Sequence, residues 1–221
     1  MDTQGTKQAK GSDYLALALL AFAGFAFELV LAYLIEPAMG LSVDSLSTGQ
    51  NIIHWLVTSA VWVLVGYLVI RYARRAYGFD LWEKRCKLSL RQWAGIALCV
   101  VVMLAAQWMD WGGFRPAIEL QSHGPLLFVF QYIYYLAETF LLSLIIIFGQ
   151  MACEVWFKHE AIPYGGIILA LTWGLGHIMS KSSVGVGLLT AAAGFLFGAA
   201  YLLVGRDYRK ALPLLYVLFV I

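Results

Sequence analysis

Charge is scarce in this chain. Only 13% of its 221 residues are Asp, Glu, Lys or Arg, while 62% are hydrophobic. A soluble domain carries about a quarter charged residues and is about half apolar. With a mean hydropathy of +0.78, a chain of this length cannot hide its apolar surface in one core, so its solvent is expected to be lipid. A net charge of only +2 argues against nucleic acid as a partner. Cysteine is sparse as well: Cys86, Cys99 and Cys153 are odd in number and show no CxxC spacing. That argues against a disulfide framework and against a Cys-based zinc site. The first apolar run is followed by no small-residue cleavage site, so it reads as a retained membrane helix rather than a signal peptide.

What the chain does have is a series of long apolar runs. A membrane helix needs about 20 mainly apolar residues, and the pattern predicts an all-α, multi-spanning fold. Full spans are expected over residues 14–35, 52–70, 93–109, 126–148, 164–179 and 184–204, with a short seventh segment at 211–221. Pro125 suits the first turn of the fourth helix, which is expected to continue to about Lys158. Gly112-Gly113 breaks the third. The loop over 36–51 contains no Lys or Arg, whereas residues 71–91 hold seven basic residues interleaved with Tyr77, Phe79, Leu81 and Trp82. That stretch is expected to lie along the membrane surface. A cytoplasmic N-terminus puts thirteen of the fifteen Lys and Arg residues inside, leaving only Arg115 and Lys181 outside. The positive-inside rule therefore predicts a multi-pass cell-membrane protein in that orientation. The whole of 1–221 reads as a single transmembrane domain.

Four ionisable residues fall within predicted spans: Glu28, His54, Glu138 and His177. Such groups are costly in hydrocarbon and mark functional sites by default. His177 stands 14 residues beyond Pro163, about 21 Å along its helix, and Glu138 lies about 30 Å from the same turn if its helix reaches Lys158. A Glu–His contact across neighbouring helices is therefore expected to be feasible, as an acid–base pair, a half-built metal site or a proton relay. The plainer alternative is a neutral Glu138 bonded to a carbonyl or a Tyr hydroxyl, with His177 satisfied by a core neighbour. One His and two Glu on three helices make a weak ligand set, so a metal ion is not expected. His54 is read as lying near the outer surface. His123 and His159 are read as solvated loop residues, and Asp110 as an interfacial charge. Gly187, Ala191, Gly194 and Gly198 recur at spacings of four, three and four, a GxxxG-like face expected to serve packing within the chain rather than a dimer seam.

The run LTWGLGHIM and the following GLLTAAAGFLFGAAYLLVGRDYRKALPLL resemble the C-terminal half of the CPBP family, the CAAX-protease and bacteriocin-processing intramembrane proteins. The likeness covers about residues 125–221. WGLGH (173–177) is similar to the family's Phe-x-x-x-His motif with Trp173 in place of Phe, and residues 194–213 to its small-residue helix and basic turn. The family's Glu-Glu-x-x-x-Arg motif is replaced by GQMACE (149–154), and its final His-x-x-x-Asn/Asp by Tyr216 and Val220. Of the family's catalytic set, only His177 remains. The resemblance implies a protease homologue that has lost its peptidase chemistry. Such a homologue would bind a hydrophobic peptide or a partner's membrane helix in a cavity formed by Glu28, Glu138, Trp173, His177 and Tyr216. An active endopeptidase using His177 with Glu138 or Glu154, and a small-molecule transport subunit, are the alternatives.

Overall fold

The computed structural model describes residues 8–221, apart from the Asp44 side chain. Most of the polar N-terminal tail, including Lys7 of the inside-positive tally, lies outside the described residues. Within them every regular element is helical. We number the helices α1 (Gly11–Ala38), α2 (Thr48–Tyr77), α3 (Leu90–Trp111) and α4 (Arg115–Phe157). α5 follows from residue 164 to residue 180, then α6 (Val184–Leu203) and α7 (Tyr208–Val220).

Five of these, α1 to α4 and α6, are long and apolar enough to cross a membrane. The predicted fifth span does not reach that measure, nor does the seventh segment, which was expected to be short. α5 is built from α-helical pieces of 6 residues at each end of a five-residue π turn, and α7 has 13 residues.

Local chemistry sets the boundaries. α2 and α3 each open on a capping box, Ser47 with Gln50 and Ser89 with Gln92, in which side chain and backbone satisfy each other's free N–H groups. Both close on a glycine at φ +68, Gly78 and Gly112, a conformation without steric cost only when Cβ is absent. The fourth helix departs from expectation at its start. It begins at Arg115 and passes through a kink at Gly124 (φ 74, ψ 166) before Pro125. Proline cannot donate to the turn before it, so the ladder breaks there while both flanks stay helical. At its far end α4 runs to Phe157 and is capped by Lys158, as expected. From Pro125 to Phe157 it extends about 50 Å.

This long segment is the axis of the fold, with α1, α2, α5 and α7 packed around it. Its middle, including Leu141, Leu142, Leu144, Ile145 and Phe148, is almost wholly buried. α6 sits behind α5, and α3 is peripheral, touching chiefly α6 and α7. The small-residue face of α6 meets α5, as expected. A Cβ on Gly198 would stand 2.4 Å from the Gly166 Cα, and one on Gly174 would stand 2.5 Å from the Ala191 Cα, so the two backbones touch directly. Outside the core, α1, α2, α3 and α6 carry large exposed apolar side chains such as Leu20, Leu64, Val101 and Leu189. Large apolar side chains exposed along four helices suit a lipid-facing surface.

Residues 71–91 are not one surface segment. The first seven belong to α2 and the last two to α3, and residues 78–89 between them form a non-helical strap. Phe79 lies against Phe148, ring centroids 5.0 Å apart, and Trp82 against Tyr208 at 5.2 Å. The interleaved aromatics thus serve the protein core in part.

Candidate binding site at the polar centre of the bundle

Glu138 and His177 share a neighbour but not a bond. Trp173 sits between them, in the π turn Ala170–Gly174 of α5. Its indole N–H donates to Glu138 Oε1 at 3.0 Å, and its carbonyl accepts from His177 Nδ1 at 2.8 Å. A carbonyl can only accept, so Nδ1 carries the proton and Nε2 is left as the free lone pair. The imidazole also stacks edge-on against the indole, centroids 4.6 Å apart. Among the described residues, no carboxylate lies within 4.0 Å of a His177 nitrogen. The Glu–His contact that the helix heights permitted is therefore replaced by two separate bonds to one tryptophan.

Glu28 and His54 join the same cluster. His54, near the first end of α2, is buried, and its Nδ1 lies 2.8 Å from Glu36 Oε1. Its Nε2 faces Glu28 Oε1 at 3.9 Å. The Tyr134 hydroxyl donates to that same Glu28 oxygen at 2.7 Å, and Tyr134 stands one turn from Glu138 on α4. Glu36 was read from the sequence as the end of a span, in the loop. The backbone explains the difference. In a regular α-helix residues eight apart lie about 80° apart around the axis. The π turn at Leu31–Ile35 absorbs one extra residue, bringing Glu28 and Glu36 to within about 20° of one another on the face towards His54. Below this point Gly24 is held by Trp62, whose indole donates to the Gly24 carbonyl at 3.1 Å, and Trp62 packs on Phe25 and Tyr134. Three buried oxygens nearby on α1 and α2 (Glu36 Oε2, Thr58 Oγ1 and Ser59 Oγ) have no hydrogen-bond partner.

All four ionisable residues that the sequence places in predicted spans thus meet in one polar layer shared by α1, α2, α4 and α5. Two other expected site residues lie elsewhere. Glu154 is paired with Arg206 at 2.5 Å and accepts from Gln150 at 2.7 Å. Gln150 also accepts from the Gly165 N–H at 2.9 Å, so both clamp the turn between α4 and α5. The Tyr216 hydroxyl donates to the Tyr132 carbonyl at 3.0 Å, tying α7 to α4 away from the layer. His123 is not simply solvated, since its Nδ1 donates to Gln131 Oε1 at 2.7 Å.

A second buried polar group escaped the sequence reading. Glu119, 1% exposed, accepts from Arg115 Nε at 3.1 Å, the Tyr132 hydroxyl at 3.1 Å and the Tyr135 hydroxyl at 2.8 Å. Arg115 also donates to the Phe219 carbonyl at 3.0 Å and lies over the Tyr135 ring at 4.9 Å. The i,i+4 spacing of Arg115 and Glu119 was the available signal. With its hydrogen bonds filled, this group locks α7 onto α4 and leaves no open valence for a ligand.

Among the described residues, no group of three His, Cys, Asp or Glu is placed to hold a metal ion. A cleft of about 500 Å³ opens at the other end of the bundle, lined by Gln92, Glu160, Pro163, Ala199, Leu203 and Arg206; it does not reach the polar layer. Compared with protein-family models, curated proteins and solved structures, the chain matches none.

Proposed function

We propose that the chain is a membrane-embedded, CPBP-like binding protein without peptidase chemistry. In this reading α1 to α4, α5 and α6 cross the bilayer, α7 enters it partway, and the N-terminus is cytoplasmic. The polar layer at Glu28, Glu138, Trp173 and His177 holds a hydrophobic peptide or a partner's membrane helix. The observation that carries this is the commitment of Glu138 and His177 to opposite ends of Trp173. Water activation needs a base within hydrogen-bond reach of its proton and a second group to orient it. Here the histidine has no carboxylate beside it, and the other candidate base, Glu154, is neutralised by Arg206. Binding needs less: a donor on the partner could meet Glu28, whose side chain stays 34% exposed beside the layer. The test is partner recovery from detergent with wild type, Glu28→Gln, Glu138→Ala and His177→Ala. Recovery should fall in all three variants. Unchanged recovery in all of them would remove the layer as the binding site, and cleavage of a membrane-adjacent peptide that vanishes in His177→Ala would restore the peptidase alternative.

A small-molecule transport subunit remains the second reading, because α1 and α5 are both interrupted by π turns beside buried acids. Broken helices at ionisable residues suit coupled transport. Glu36 and His54 on one side and Glu28 and Tyr134 on the other form two hydrogen-bonded pairs, separated by 3.9 Å between His54 and Glu28. Proton-dependent uptake that survives replacement of both Glu28 and Glu138 by Gln would count against this reading.

A further inference from the structure

The strap over residues 78–89 joins α2 to α3, and the protein holds it firmly. The Asp207 carboxylate accepts from the Cys86 N–H at 3.2 Å, and Lys210 Nζ donates to the Cys86 carbonyl at 2.6 Å. Arg209 donates to the Trp82 carbonyl at 3.0 Å. Phe79 and Trp82 add the core contacts already described. The side chains left over are of one kind. Residues 71–91 contain seven cations and two acids, Asp80 and Glu83. Arg71, Arg74, Arg75, Lys84, Arg85, Lys87 and Arg91 are all exposed. None of the seven is among the ion pairs of the described residues. Arg71 alone makes a side-chain bond, to the neutral Tyr67 hydroxyl. The two acids do not neutralise the array, and Asp80 is spent on the Trp82 N–H at 3.0 Å.

Exposed cations usually point freely into water. Here a pinned backbone fixes them as an array at the cytoplasmic end of α2 and α3, and Trp82, 49% exposed, stands among them. Trp favours the headgroup depth of a bilayer, and clustered Lys and Arg beside a membrane helix attract anionic lipid. We infer that the strap and the adjoining helix ends form a binding surface for anionic phospholipid headgroups. This rests on the reading that the helices insert. Phosphate oxygens would accept from Lys84, Arg85, Lys87 and the α2 arginines, with Trp82 seated at the glycerol level. Because the strap also fastens the turn between α6 and α7, headgroup binding would stabilise that end of the bundle.

The test uses the full chain reconstituted into phosphatidylcholine vesicles with a minor share of phosphatidylglycerol, brominating one lipid species at a time. Trp82 emission is isolated as the difference between wild type and Trp82→Phe. Per mole, brominated phosphatidylglycerol should quench Trp82 at least about fivefold more than brominated phosphatidylcholine. The preference should collapse at about 1 M salt, where the Debye length is about 3 Å. Lys84→Gln/Arg85→Gln/Lys87→Gln, which breaks no side-chain bond and leaves Arg71, Arg74, Arg75 and Arg91 in place, should cut the preference to less than about half. Equal quenching in the wild type, or a preference undiminished in the triple variant, overturns the proposal with insertion intact. Quenching of no tryptophan by either lipid overturns the insertion reading, and this proposal with it.

Discussion

Glu119 offers the sharpest test of how this bundle is held. Glu119→Ala would leave Arg115, whose side chain is 11% exposed, with a charge that meets only the Phe219 carbonyl and aromatic faces. Breaking a buried ion pair from one side costs roughly 3–5 kcal/mol, because an uncompensated charge remains. The Tyr132 and Tyr135 hydroxyls also lose their acceptor, adding to the cost rather than offsetting it. At about 2–4 °C per kcal/mol for a chain of this size, the melting temperature in detergent should fall by roughly 10 °C. The double variant Arg115→Leu/Glu119→Leu removes both charges together, and should be more stable than either single change. Thermal denaturation followed by size-exclusion chromatography measures wild type, Glu119→Ala, Arg115→Leu, Glu119→Leu and the double variant. A drop under about 2 °C in Glu119→Ala, or a double variant as unstable as the two singles summed, would refute the argument that an unpaired buried charge is what matters.

Three further outcomes follow from contacts elsewhere. Gly198→Val should destabilise the protein by about 3 kcal/mol or more, since its Cβ would already press on the Gly166 backbone and α5 cannot retreat without opening the core; a melting temperature within a degree of wild type would exclude that contact. Trp62→Phe loses the bond to Gly24 and leaves a gap where the larger, fully buried indole stood, and should cost about 2 kcal/mol or more by the same assay. Asp207 is held below the usual carboxylate range, first by its hydrogen bond from Lys210. A group with a depressed folded pKa contributes stability above its unfolded value, about 3.9, and loses it as pH falls through the lower folded value. Stability should therefore drop more steeply below about pH 4 in wild type than in Asp207→Asn; parallel acid limbs would remove Asp207 from the account.

The sequence by itself determined the helices and their apolar character. Hydropathy runs, Gly112, the α6 glycines and the reach of α4 to Phe157 are local signals, and a helix needs only local information to form. It also identified Glu28, His54, Glu138 and His177, because an ionisable group in an apolar run stands out without any knowledge of its neighbours. What those groups bond to was decided by tertiary structure alone. Helix rotation put Trp173 between Glu138 and His177, and the π turn at Leu31–Ile35 swung Glu36 from an expected loop onto His54. Glu119 passed unnoticed in the sequence, and only the fold sets it against Tyr132 and Tyr135, across the kink at Gly124. A hydrogen bond depends on distances of tenths of an ångström between helices far apart in sequence. Such distances follow from packing, which residue periodicity does not encode.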